Sequence, residues 1–188
     1  MVRRYDPDRP VPSETIDEVL AAALRAPSAG DAQGVSFLVL RERSQLEAYW
    51  SATTAPGEAD RWLQGMRTAP VLVLVWTSMA TYLDRYAEPD KGWLDRDPDR
   101  WSAPYWFVDA GMASMAALLA AVDSELGACF FGVPPDRVQA VRAAFGVPAD
   151  QLSVGVISLG YGAAQGSRPS SRRRPKRPGR VRHGYWSG

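Results

Sequence analysis

The stretch PVLVLVWT, Pro70–Thr77, gives the clearest strand signal in the chain. It is too short for a core helix and too apolar for an exposed sheet edge, so it predicts a strand that is buried on both faces. Three other apolar runs predict the strands around it: VSFLVLR (Val35–Arg41), ACFFGV (Ala128–Val133) and LSVGVISLGYG (Leu152–Gly162).

Helical patterns separate these strands. Apolar residues at helical spacing follow Ser13, which we expect to cap the first helix, and Pro27 ends that helix. Further helices are predicted over SQLEAYW with Ser44 as cap, over EADRWLQGMR, over Phe107–Gly127 with Gly127 as its end, and over PDRVQAVRAAFG with Asp136 as cap and Gly146 as stop. The alternation predicts one α+β or α/β domain spanning residues 1–188.

Composition excludes several classes of protein. A chain of 188 residues has the length of one domain and can bury a core without disulfides. Cys129 is the one cysteine and His183 the one histidine, so we expect neither a disulfide nor a metal site. The N-terminal residues contain no apolar core of the kind that a secretory signal needs. Asp109 interrupts the apolar run 103–122, which favours a buried helix over a membrane span. We expect a cytoplasmic protein with no membrane contact.

The last 24 residues are strongly basic. Residues 165–188 carry eight Lys/Arg and no acid, which leaves 14 basic and 21 acidic residues elsewhere, a net charge of −7. Such a tail is typical either of nucleic-acid binding or of arginines that hold a phosphate. Only Tyr185 and Trp186 offer the tail a ring for base stacking, so the composition disfavours nucleic acid.

The segment RAPSAGDAQG, Arg25–Gly34, contains more small and short polar residues than a turn needs. Small residues let another group approach the backbone closely, although a plain helix–strand connection is the alternative. Backbone N–H groups here and arginines at both ends of the chain are suited to a phosphate. No G-x-G-x-x-G follows a strand and no P-loop is present, so the phosphate would not be bound as in a Rossmann fold.

Taken in order, five segments resemble the FMN-dependent nitroreductase superfamily. They are RRYDPDRPVP with AALRAPSAGDAQGVSFLVL, then APVLVLVW, DAGMASMAALLAAVDSELGACFFGVP, LSVGVISLGY and RRRPKRPGRVRHGYW, and together they cover nearly the whole chain. The resemblance implies an α+β fold with a mostly antiparallel central sheet flanked by helices. It also implies an obligate homodimer whose extended tail, residues 165–188, wraps the partner subunit.

The same resemblance implies an enzyme. FMN at the dimer interface would accept a hydride from NAD(P)H and pass it to a nitroaromatic, a quinone or another conjugated planar acceptor. Because the cofactor carries the chemistry, no catalytic side chain is expected.

Site residues follow from the resemblance, position by position. Those implied to hold the FMN phosphate and ribityl chain are Arg3, Arg4 and Tyr5, with Arg174, Lys176 or Arg177 of the tail. The strand whose backbone would lie along the isoalloxazine is represented by Cys129, Phe130, Phe131 and Gly132. The loop implied to reach the flavin from the partner subunit contains Pro27, Ser28, Ala29, Asp31 and Gln33.

Five positions depart from the family pattern. Asp31 stands where Asn is usual, Tyr5 where Ser is usual, and Gly34-Val35 replace Pro-Trp. Gln64 stands roughly where the enteric branch carries a lysine that reaches the flavin ring. These departures leave open a flavin-binding or flavin-cannibalising protein without turnover, and nucleic-acid binding by the tail is a third hypothesis.

Two further segments have expected roles. The segment Tyr82–Trp106 reads as irregular, and its mixture of rings and charges indicates either a lid over a planar substrate or ordinary core. The lid residues would be Trp93, Trp101 and Tyr105. In the long helix, the residues expected to pack in a dimer core are Met112, Ala113, Met115, Ala116 and Leu119.

Overall fold

The computed structural model describes residues 1–55, 57, 60–163 and 180–184. Its centre is a four-stranded sheet with the order β1-β2-β4-β3, in which β1 is Val35–Leu40, β2 is Val71–Ser78, β3 is Gly127–Phe131 and β4 is Gln151–Gly160. All three pairings are antiparallel, so of the two predicted fold classes the chain adopts α+β. Every residue of β2 is buried, because β2 pairs on both sides and is covered on both faces.

Among the described residues, six α-helices surround the sheet: α1 Ser13–Leu24, α2 Arg43–Thr53, α3 Arg61–Met66, α4 Met79–Ala87, α5 Tyr105–Asp123 and α6 Val138–Phe145. The helices form two layers, one on each face of the sheet, because successive side chains of β2 point to opposite faces. Val71, Val73 and Val75 pack with α1 and α5. Leu72 and Leu74 pack on the other face with α2, α3 and α6.

The starts of the first two helices differ from the prediction. Ser13 is the first residue of α1, and Pro12 occupies the cap position. Helix α2 begins before Ser44, because the side-chain oxygen of Gln45 accepts a hydrogen bond of 3.0 Å from the backbone N–H of Glu42. This reciprocal capping arrangement places the cap at Glu42, two residues before the predicted cap at Ser44.

Two predictions for the later helices are also wrong. Asp136 lies in a 3-10 turn, Pro135–Arg137, and does not cap α6. Helix α5 ends at Asp123, and Gly127 is the first residue of β3. A side chain at position 127 would collide with Val2, so the glycine there allows the chain start to pack against β3. Gly146 closes α6 in the left-handed region at φ 62°, as predicted.

Helix α5 has a buried face and an exposed face. Ala110, Ala117 and Ala121 pack in the core with α1 and β2. Ala113 is also buried, with 4% exposure within the single chain, which corrects the expectation that it packs against a second copy. Large apolar side chains occupy the outer face: Val108, Met112, Met115, Leu119 and Val122. Within the described residues α5 alone is long and apolar enough to cross a membrane, a criterion that core helices also meet.

Candidate functional site

The predicted site residues form two groups on opposite faces of the sheet. The chain start, α3 and the end of β3 lie on the face covered by α2, α3 and α6. The loop after α1 lies on the other side, against α4 and α5. The chain start and the loop also lie near opposite ends of β2: the Tyr5 N–H bonds Thr68, which precedes β2, whereas Gly34 bonds Ser78, its last residue. An eight-residue strand spans roughly 25 Å, which separates the chain start from the loop, whereas the end of β3 is separated from the loop by lying on the other face of the sheet.

The chain start crosses the ends of β3 and β4. The Val2 N–H donates to the Ala128 carbonyl over 2.9 Å, and the Ala163 N–H donates to the Arg4 carbonyl over 3.1 Å. This placement sets the guanidinium of Arg3 beside the thiol of Cys129. Burial raises the pKa of Cys129, and the nearby Arg3 opposes that rise only in part. The thiol is therefore protonated, and Cys129 acts as a small buried residue.

Helix α3 approaches the same segment through a glycine. A Cβ on Gly65 would overlap the carbonyl oxygen of Arg3, so the N-terminal segment passes directly over the helix. Gln64 precedes that glycine and is exposed, as is Arg4. The structure thus brings Arg3 and Arg4, predicted to hold the FMN phosphate and ribityl chain, close to Gln64, predicted to lie near the flavin ring.

Tyr5 differs from its predicted role. Its side chain is only 1% exposed, and its hydroxyl lies 2.7 Å from the Ser158 hydroxyl and donates to the Val2 carbonyl over 3.0 Å. Burial raises the pKa of this phenol. Tyr5 is consequently a core residue, and its side chain is not available to a cofactor.

The end of β3 borders an aromatic pocket of about 360 Å³. Trp62 meets Phe131 edge-on at 5.4 Å, and Trp50 lies parallel to Phe131 at 6.2 Å between ring centroids. Gly132 follows with open space where a side chain would stand, so its backbone is accessible. The Phe130 ring points to the opposite face and packs with the α1–α5 core. Of the strand residues predicted for the site, Phe131 and Gly132 therefore line the pocket.

The second group is a strained loop. Gly30, Asp31 and Gln33 have φ values of 62°, 57° and 54°, and the latter two are non-glycine residues in the left-handed region. The Gln33 N–H donates to the Ser28 hydroxyl over 3.0 Å, and the Gln33 side-chain amide donates to Asp31 over 3.1 Å. Each such residue costs about 1–3 kcal/mol and persists only where neighbouring groups impose it. Pro27, Asp31 and Gln33 remain exposed beside this backbone.

Two residues that sequence reasoning missed impose the loop conformation. Asp109, only 2% exposed, accepts a hydrogen bond of 2.7 Å from the Ala29 N–H. Arg85 donates to the Gly30 carbonyl over 2.8 Å and is itself held by both carboxylate oxygens of Asp90. A carboxylate in an otherwise apolar helix was the available signal for Asp109; nothing local marked Arg85.

Aromatic rings explain two of the loop's small residues. The Tyr86 ring occupies the space where a Gly30 side chain would stand, and the Tyr82 ring does the same at Gly34. The group that approaches this part of the backbone is therefore helix α4. The prediction that Tyr82–Trp106 is irregular throughout is wrong, because residues 82–87 belong to helix α4.

The three predicted lid residues belong to one aromatic cluster centred on Trp101. Its ring lies 4.3 Å from Tyr86, 5.5 Å from Trp93 and 5.7 Å from Tyr105. Trp93 and Trp101 are half-buried, and Tyr105 is at the surface. The cluster thus supports the strained loop as well as presenting rings to solvent.

Of the tail residues predicted for the site, Arg174, Lys176 and Arg177 lie outside the described residues, as do Tyr185 and Trp186. In the part of the chain that the structure describes, no group of three or more His, Cys, Asp or Glu side chains could hold a metal ion.

Comparison with known proteins gives a consistent result. The model of the Nitroreductase family matches residues 1–161. A Methanothermobacter thermautotrophicus protein named "Putative NADH dehydrogenase/NAD(P)H nitroreductase" is 34% identical over 164 residues, covering 86% of this chain and 72% of its own.

Two solved structures extend the similarity. A protein of that same name from Parabacteroides distasonis superposes with a TM-score of 0.71 at 25% identity, covering 98% of this chain and 92% of its own. A Desulfovibrio desulfuricans protein, described as a "putative nitroreductase in complex with fmn", has a TM-score of 0.66 at 25% identity, with coverages of 94% and 91%.

Proposed function

This chain belongs to the nitroreductase family, and we propose that it is an FMN-dependent oxidoreductase that transfers a hydride from NAD(P)H through FMN to a nitroaromatic, quinone or other conjugated acceptor. The names of the relatives support an oxidoreductase, and a structural neighbour is described with FMN. The observation that carries the proposal is the arrangement of the predicted residues in two groups, each with features suited to one part of a flavin.

The donor chemistry of the first group fits FMN. Arg3 and Arg4 would hold the phosphate through charge-assisted hydrogen bonds. The accessible backbone at Gly132 and the ring of Phe131 would flank the isoalloxazine. When bound there, FMN would supply the hydride acceptor and donor, and the protein would supply binding and orientation.

The departure at Asp31 is compatible with an anionic cofactor. Its carboxylate accepts from the side-chain amide of Gln33 and interacts electrostatically with the Arg85 guanidinium. The negative charge is thus partly balanced within the protein. Asp31 therefore lowers the attraction of the loop for an anion less than an isolated carboxylate would.

A homodimer would join the two groups. The outer face of α5 carries apolar side chains separated by three or four residues, Val108, Met112, Met115, Leu119 and Val122, a spacing typical of a helix that packs against a partner. Since the sheet separates the two groups in one protomer, we propose that a second copy supplies the Ser28 loop. The proposal also includes one domain over residues 1–188, with the tail, residues 165–188, wrapping the partner, in a cytoplasmic protein.

The absorbance spectrum of the purified protein tests the cofactor. We expect oxidised-flavin bands at one FMN per chain after incubation with FMN and removal of the excess. Anaerobic oxidation of NADH and NADPH with a quinone or a nitroarene should then give parallel double-reciprocal lines, since one flavin site serves donor and acceptor in turn. A protein that binds no flavin contradicts the proposal. A yellow protein that oxidises neither nucleotide favours flavin binding without turnover. The neutral Gln64, at the position of a flavin-contacting lysine, is the feature that suggests this alternative.

A further inference from the structure

We propose that Asp109 is a positioning residue that holds the Ser28–Gln33 loop in its flavin-contacting conformation, an inference that rests on the function proposed above. Asp109 lies one turn into α5, 80 residues from the loop it contacts. It does not reach the loop's outer surface, where Pro27, Asp31 and Gln33 are exposed.

Burial of this carboxylate needs a reason beyond packing. An ionised group with 2% exposure is costly unless charge-assisted hydrogen bonds compensate it. One compensating donor is the Ala29 N–H, at 2.7 Å, which belongs to the first residue of the 3-10 turn that contains Gly30 and Asp31. The carboxylate therefore fixes the loop at the point where its backbone turns into the left-handed region.

Tyr82 of α4 is a second partner of Asp109. Burial raises the pKa of the Tyr82 phenol, and hydrogen bonding to the Asp109 carboxylate raises it further. Thr77 of β2 donates to the Trp106 carbonyl over 3.1 Å and to the Gly34 carbonyl over 3.2 Å, which ties the start of α5 to the end of the loop. The loop is thus held to α5 at both ends, by Asp109 and by Thr77.

The position of Asp109 on α5 also links the loop to the proposed dimer interface. Val108 precedes it on the exposed apolar face, and Met112 follows one turn later. The helix that would form the dimer interface therefore also sets the conformation of the loop that one protomer would extend to its partner. Asp109 connects assembly to cofactor binding through a single rigid element.

Three variants and one matched control test the inference. Asp109→Ala removes the acceptor, Asp109→Asn keeps one acceptor oxygen without the charge, and Arg85→Met frees the loop at the Gly30 carbonyl. The control is Asp123→Ala, an exposed aspartate at the end of the same helix. The measurements are hydrogen exchange of the Ala29–Gln33 amides in flavin-free protein, the FMN dissociation constant from fluorescence quenching, and the flavin-free melting temperature.

We expect Asp109→Ala to exchange the loop amides faster and to bind FMN about ten- to a hundredfold more weakly, the range of one charge-assisted hydrogen bond. Asp109→Asn should lie between it and wild type, and Asp123→Ala should match wild type. Wild-type loop exchange or wild-type FMN affinity in a folded Asp109→Ala protein overturns the inference.

If Asp109→Ala does not fold, wild-type loop exchange and FMN affinity in both Asp109→Asn and Arg85→Met overturn it. A wild-type chain that binds no FMN overturns the proposed function instead. Exchange in the flavin-free protein then still decides whether Asp109 holds the loop.

Discussion

Leu119 on the outer face of α5 gives the sharpest test of the proposed dimer. Complete burial of a leucine side chain contributes about 1.5–3 kcal/mol, and Leu119 is still 59% exposed in the single chain. The part left to bury against a second copy contributes about 1–2 kcal/mol in each protomer. Because a two-fold interface contains the residue twice, Leu119→Ala should weaken the dimer by about 2–4 kcal/mol, a roughly 30- to 1000-fold rise in its dissociation constant.

Sedimentation velocity over a dilution series measures this constant, and flavin absorbance recorded in the same run reports FMN bound to each species. The matched control is Leu94→Ala, a leucine that is 78% exposed outside α5, and it should leave the dimer unchanged. FMN should follow the dimer and leave the monomer. Equal dissociation constants for wild type and Leu119→Ala, or a monomer that holds one FMN per chain, would refute the reasoning.

Three further outcomes are expected. Arg3→Ala should weaken FMN binding about ten- to a hundredfold with little change in the flavin-free melting temperature, because it removes one charge-assisted phosphate bond; unchanged flavin retention argues against that contact. Trp101→Ala should destabilise the protein by about 3–5 kcal/mol in thermal melts, since it removes the centre of the aromatic cluster, whereas Trp93→Ala at its edge should mainly alter acceptor selectivity. Burial raises the pKa of Tyr5 and Tyr49, so the native state keeps these protons above the ordinary tyrosine pKa of about 10. The free energy of unfolding should therefore be constant near neutral pH and fall as pH rises past about 10, and denaturant titrations at stepped pH measure it.

The family resemblance came from short segments whose order along the chain is itself a property of sequence. Val71–Ser78 reads as a fully buried strand because eight apolar or uncharged residues leave no polar face. Gly146 reads as a helix stop because its left-handed conformation costs a glycine little. The helix starts were less predictable, because Ser13 and Ser44 each compete with neighbours that can also cap or begin a helix.

Half of the candidate site follows from residues near one another in sequence, such as Ser28, Asp31 and Gln33 within one loop. Gln64 and Arg3 were each predicted to contact the flavin, at different parts of it, and the glycine at position 65 makes their proximity possible. Tyr5 was misassigned because it stands at the position where the family pattern carries a serine beside the two phosphate-binding arginines. Only the packed Ser158 hydroxyl shows that its phenol belongs to the core.

By itself the sequence determined the strands, the helical segments other than α4, the family and the loop in which small residues gather, because these depend on side-chain periodicity and local backbone preference. Tertiary structure alone decided which distant groups meet: Asp109 with the Ala29 N–H, Arg85 with the Gly30 carbonyl, and the Tyr86 ring with the bare face of Gly30. Such contacts join residues 55 to 80 positions apart, and nothing in a local window encodes them. They depend on the order of strands in the sheet and on which face each helix covers, so the same residues could serve quite different purposes in another topology.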